Sequence, residues 1–144
     1  TPDRVGDEVA VVGGGLVGCE VAESLAMIGK AVTIFEQQET LCLDAEFSIR
    51  EHVKKRLLER NVQVMLNTTV ESINERSLTV LDAAGRKTMV EADTVVLAVG
   101  SQPRNSLADS ITRAGGEVVC VGDCVRSGQI YEAINGAYMA ARLI

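Results

Sequence analysis

The chain has 144 residues, a net charge of −6, and 47% hydrophobic against 24% charged residues; that suits about one domain with its own core and argues against disorder. Only 3% of residues are aromatic and none is Trp, so the core must be aliphatic, as in an α/β sheet covered on both faces. The densest basic run, Lys54-Lys55-Arg56, lies beside Glu51 and Glu59, which disfavours nucleic acid and anionic membranes as partners.

After a polar lead-in over residues 1–7, Val9–Val12 reads as a first strand, too apolar for an edge and therefore central in a parallel sheet. Leu16 to Ile28 is the first predicted helix, with Leu16, Val17, Val21, Leu25 and Ile28 at three- and four-residue steps and Gly29 at the C′ position. Val32–Glu36 is the second strand. Beyond the loop Gln37–Leu43, Asp44 is expected to cap a helix to about Arg60, burying Phe47, Ile49, Val53 and Leu57. Val62–Leu66 is a third, short strand.

The period then changes. Thr68–Asn74, Ser77–Asp82 and Lys87–Glu91 alternate around tight turns at Glu75-Arg76 and Ala83–Arg86, which predicts an antiparallel meander at about 68–91. Thr94–Val99 is wholly apolar and returns to the parallel sheet, ending at Gly100. A short helix is expected near Leu107–Arg113, a buried strand over Glu117–Val121, and a last helix from Gln129 to Ile144. The expected fold is α/β: a Rossmann-like three-layer arrangement with sheet order 3-2-1-4, a β-meander, and the 117–121 strand added alongside.

The chemistry concentrates between Gly13 and Glu36. Gly13, Gly14, Gly15 and Gly18 fall in a G-x-G-x-x-G turn between strand and helix, and Glu36 ends the next strand 23 positions after Gly13. Gly13 suits the turn, Gly15 the close approach of a pyrophosphate, and Gly18 a helix lying close on the strand. The amides around Gly15, Leu16 and Val17 open the helix without intrahelical partners and attract an anion. A glycine-rich turn in an unrelated α/β protein is the bland alternative; the strand–turn–helix–strand–acid order argues for a dinucleotide. Glu36 suits a ribose diol, and Gln37, Gln38 and Glu39 bring no cation for a 2′-phosphate, so NAD(H) is favoured over NADP(H).

Other constellations are absent. Tyr131 is followed four residues on by Asn135, and Tyr138 by Arg142, so there is no Tyr-x-x-x-Lys pair. His52 sits on a charged helix and reads as a surface residue. Cys19, Cys42, Cys120 and Cys124 form no C-x-x-C pair and no metal-ligating pattern, and suit a reduced, cytoplasmic setting. No apolar stretch approaches a membrane span of about 18 residues, and the opening residues do not read as a signal peptide. No catalytic acid, base or nucleophile is apparent.

Three segments in this order, Val11–Ala26, Thr94–Pro103 and Val118–Cys124, resemble the pyridine nucleotide–disulfide oxidoreductase superfamily. The tail Gly122–Arg142 is most similar to the NADH:flavin oxidoreductases related to 2,4-dienoyl-CoA reductase and enoate reductase. The resemblance implies an NAD(H)-binding domain over residues 1–114, with 115–144 as the closing strand and helix of an FAD domain packed on the same sheet. It implies that Glu20 reaches the nicotinamide carboxamide, that Val99 and Gly100 lie against the cofactor, and that Gly122 and Asp123 meet the flavin chain, with Ile130 and Tyr131 near its ring. It further implies a longer parent enzyme supplying FAD and substrate domains, where FMN and an iron–sulfur cluster can sit, and a chain inactive by itself. Two other readings stay open: an FAD-binding unit of the same superfamily, and a non-catalytic NADH-sensing module. If the 117–121 strand finds no partner in its own chain, a homodimer through it is expected.

Overall fold

Val9, Ala10 and Val11 carry nothing that needs water, so the strand containing them can be covered on both faces. In the computed structural model, which describes residues 4–143, β1 (Glu8–Val12) lies inside a parallel sheet between β2 (Ala31–Phe35) and β7 (Thr94–Leu97), and β3 (Gln63–Met65) follows β2. The order β3-β2-β1-β7 is the one expected. Val12 is in register with both Phe35 and Leu97, so the three strands end together.

Alternate residues of β1 face opposite sides, and each side has its own core. Val9 and Val11 join Cys19 and Ala22 of α1 (Leu16–Met27), Val53 and Leu57 of α2 (Phe47–Glu59), and the sheet residues Val32 and Ile34. Ala10 faces the other way, with Phe35, Leu78, Val80 and Ala92. That second face is covered by the meander of β4 (Thr69–Ile73), β5 (Ser77–Leu81) and β6 (Lys87–Glu91), which pair antiparallel in the order 4-5-6. A bulge between Val70 and Ser72 bends β4. Asp82 holds the β5–β6 turn: the Arg86 amide first, then its guanidinium and the Ala84 amide, keep the Asp82 carboxyl below its usual range.

α1 and α2 end in the same way. Gly29, at φ +85°, donates to Ala26 O, and Lys30 donates to Leu25 O. Asn61, at φ +57°, donates to Leu58 O, and Val62 donates to Leu57 O. These are Schellman closures, built on glycine in one helix and asparagine in the other. The guanidinium of Arg56 meets Glu23 at 2.6 Å and ties α2 to α1.

Three expectations are corrected at this level. Asp44 does not cap α2, which starts only at Phe47 without a side-chain cap, because Cys42 and Ala45 first close a turn of their own. Of the face assigned to α2, Val53 and Leu57 are buried whereas Phe47 and Ile49 are exposed. No strand forms over residues 117–121, so among the described residues the parallel sheet has four strands and no fifth. A strand exists only through its ladder, and this segment has none.

The chain divides into two compact units, with the division after Gly100. The second unit holds α3 (Ser106–Arg113), a 3-10 turn at Gly122–Cys124, and α4 (Ile130–Ala141), whose start is closed by a reciprocal Gln129–Glu132 capping box. None of these three elements has a buried residue, and Ile130 and Ile134 stand exposed. Among the described residues no helix is long and apolar enough to cross a membrane, and no group of three or more metal-ligating side chains forms.

Leu78 is fully buried where the meander meets the sheet. Leu78→Ala should lower unfolding free energy by about 2–5 kcal/mol in urea denaturation. A loss below about 1 kcal/mol would show that the meander is not part of this core.

Candidate functional site

Four glycines make the turn between β1 and α1, each for a separate steric reason. Gly13 has φ +107°, a value that favours glycine, and a Cβ there would run into the Ala98 carbonyl just past β7. A Cβ on Gly18 would strike the carbonyl oxygen of Gly13 and come within 3.2 Å of the Ala98 methyl. The start of α1 therefore rests directly on the ends of β1 and β7. Gly14 is buried, and a Cβ on it would come within 2.5 Å of Leu41 Cδ2 and 3.0 Å of Glu36 Cβ. Gly15 differs from the other three: nothing lies within 4 Å of the place its Cβ would occupy.

That open space faces the start of α1. Gly15 is the N-cap residue, with no side-chain cap and no acidic residue in the first turn. The amides at the helix start have no intrahelical partner, and the positive end of the helix dipole stands uncompensated. Leu16 and Val17 are exposed beside it. An uncapped helix start behind an open glycine fits a phosphate-sized anion.

Glu36 is held on the other side of the turn. Its own backbone is fixed, its amide donating to Met65 O and its carbonyl accepting from Thr68 N, both at 2.9 Å. The residue is 9% exposed, with Oε2 of its carboxylate accepting the Gly14 amide at 2.6 Å and Oε1 the Gln38 amide at 2.8 Å. A carboxylate has about four acceptor positions, so each oxygen keeps capacity for one more donor, which is what a vicinal diol supplies. The residues present fit a dinucleotide.

The remaining expected residues divide between the two units. Gln37 is exposed and follows Glu36 directly; Glu20 is exposed on the second turn of α1. Val99 and Gly100 are exposed immediately after Ala98, with Gly100 at φ +90°, at the end of the sheet where the glycine turn lies. Gly122, Asp123, Ile130 and Tyr131 belong to the second unit. There Gly122 has φ +68°, Asp123 Oδ1 accepts the Gly128 amide at 3.3 Å, and Ile130 and Tyr131 stand exposed on the first turn of α4.

Three residues that shape the turn escaped the sequence reading. Leu41 packs on Gly14, Ala98 sets the space for Gly13 and Gly18, and Cys42, at φ +50°, donates its amide to Gly14 O at 2.8 Å. The apolar Leu41-Cys42-Leu43 inside an otherwise polar loop was the available signal. A cavity of about 260 Å³ lined by Glu8, Arg76, Glu91, Ala92 and Asp93 lies at the start of β1, whereas the turn follows its end.

A parallel sheet with a glycine turn, an uncapped helix start and an acid at the end of the neighbouring strand defines a Rossmann-like α/β domain. The chain belongs to the pyridine nucleotide-disulphide oxidoreductase family, whose sequence profile matches residues 1–122. It is 32% identical over 94% of its length to an NADH oxidase of Thermoanaerobacter brockii, and 34% identical over 94% to a bilirubin reductase of Mediterraneibacter gnavus. The solved structure of a 2-naphthoyl-CoA reductase in complex with 2-naphthoyl-CoA superposes with a TM-score of 0.83 at 32% identity over 93% of this chain. The chain spans about a fifth of each of these proteins: 21%, 21% and 20% of their lengths. These relatives are oxidoreductases, and a redox role follows from the family.

The glycines can be tested separately for folding. Gly18→Ala should cost about 1–3 kcal/mol of stability, because its methyl meets rigid backbone. Gly15→Ala should unfold within about 0.5 kcal/mol of the parent. Equal costs in a urea titration would contradict the assignment.

Proposed function

We propose that this chain binds NAD(H) at the Gly13–Gly18 turn and presents the nicotinamide for hydride exchange with an FAD. The observation that carries the reading is the Gly14 amide on the Glu36 carboxylate at 2.6 Å, which joins the anion-binding turn to the diol-binding acid in one rigid unit. Gly15, Leu16 and Val17 would hold the pyrophosphate through backbone amides, and Glu36, with Gln37 beside it, the adenosine ribose. Glu20, Val99 and Gly100 would meet the nicotinamide side. Nicotinamide and flavin exchange hydride directly. The protein's part is then to hold, orient and exclude water, in keeping with the lack of any evident acid, base or nucleophile.

Gly122, Asp123, Ile130 and Tyr131 are proposed to face the flavin. The type closest in chemistry is the NADH:flavin oxidoreductase, 2,4-dienoyl-CoA reductase and enoate reductase group, supported by the NADH oxidase and 2-naphthoyl-CoA reductase relatives. Four free thiols suit a reduced, cytoplasmic setting. A second reading, FAD at the same glycine turn, has one observation in its favour: the meander and a later Gly122-Asp123 also occur in that order in an FAD unit.

Calorimetry separates the readings. NADH should bind at least about tenfold more tightly than NADPH, equivalent to about 1.4 kcal/mol, because a 2′-phosphate would meet the Glu36 carboxylate. Glu36→Gln should weaken NADH about tenfold or more through loss of charge-assisted bonds. Tight FAD binding with no NADH binding would transfer the proposal to the second reading.

A further inference from the structure

Cys19 and Cys42 have no part in holding the dinucleotide, yet they meet directly beside the turn. Cys19 comes from the first turns of α1 and Cys42 from the loop after β2, and their sulfurs stand 3.6 Å apart. They are 1% and 3% exposed. Both residues engage the same backbone carbonyl, the Cys19 thiol reaching Gly14 O at 3.5 Å and the Cys42 amide at 2.8 Å. The amide of that same glycine donates to Glu36. A disulfide has a sulfur–sulfur distance of about 2.05 Å, so closing the pair draws the 37–45 loop toward α1 by roughly 1.5 Å in total. Closure also removes the thiol donor from Gly14 O and shifts the segment carrying Leu41, the residue packed on Gly14.

We propose that Cys19 and Cys42 are a redox-responsive pair, joined by exchange with a low-molecular-weight disulfide such as oxidised glutathione, and that the bond weakens dinucleotide binding at the Gly14 turn. The second clause rests on the NAD(H) reading. One cysteine sulfur, as thiolate, attacks the small disulfide and releases one small thiol; the second attacks the mixed disulfide and releases another. The protein pair loses two electrons and its two thiol protons, and the small disulfide gains both to become two thiols. Burial, reinforced by the Cys42 sulfur beside it, raises the Cys19 thiol well above its usual range, so exchange passes through an opened 37–45 loop. A dinucleotide that holds this loop closed opposes the reaction, and by linkage the disulfide opposes the dinucleotide.

The test incubates the native chain with oxidised glutathione, with and without NADH. Intact mass should fall by about 2 Da through loss of two hydrogens, peptide mapping should join Cys19 to Cys42, and NADH should slow the conversion. The joined chain should still melt cooperatively and bind NADH at least about fivefold more weakly than the reduced chain. Cys42→Ser should abolish the cross-link and the response of NADH affinity to the oxidant, and Cys19→Ser should do the same if the first variant does not fold. An unchanged mass, a bond confined to Cys120 and Cys124, loss of cooperative melting on oxidation, or an unaltered NADH affinity each overturns the proposal. A reduced chain that binds no NADH sinks the dinucleotide reading itself, while the mass and the mapped peptides still decide the disulfide.

Discussion

The hydrogen bond from the Gly14 amide to the Glu36 carboxylate is the constraint on which the site depends. A carboxylate on a residue only 9% exposed is costly unless its oxygens are paired, and here two backbone amides, those of Gly14 and Gln38, donate to it. The bond forms only because Gly14 has no side chain: any Cβ would press on Leu41 and on Glu36 itself. β1, β2 and the turn between β1 and α1 are thereby fixed relative to one another before any ligand arrives. Preorganisation of this kind reduces the ordering that binding would otherwise require.

The rest of the first unit supports that geometry. Register sets Val12, Phe35 and Leu97 side by side, so the strands end in a common plane. Gly13 and Gly18 then bring α1 down onto those ends. The two cores on opposite faces of β1, one under α1 and α2 and one under the meander, hold the strands against twisting out of register. The same economy places two thiols beside the Gly14 carbonyl, so that one peptide unit connects the acid, the turn and the cysteine pair.

Much of this was legible in the sequence because it follows from local pattern. The unbroken apolar run Val9–Val12 could only be a central strand, and the alternation through Ser77–Leu81 could only be a sheet with one buried face. Gly29 announced the end of α1 by the left-handed backbone it adopts. What escaped depends on contacts between residues far apart in the chain. Leu41 and Cys42 stand out only as apolar residues in a polar loop, and their place on Gly14 is set by the fold. Ile49, Val53 and Leu57 recur at steps of four, but Phe47 stands only two residues before Ile49 and so points away from that face, and both Phe47 and Ile49 are in solvent. Residues 117–121 have every strand propensity and no neighbour to pair with, and propensity without a ladder makes no strand.

The central claim, that the Gly13–Gly18 turn with Glu36 is a nicotinamide dinucleotide site, is tested most directly by amide chemical-shift mapping of the chain titrated with NADH. The account expects the largest shifts at the amides of Gly14, Gly15, Leu16 and Val17 and at Gln38, saturating together with one dissociation constant. Shifts absent from the turn, or centred on Gly122–Tyr131, would contradict it.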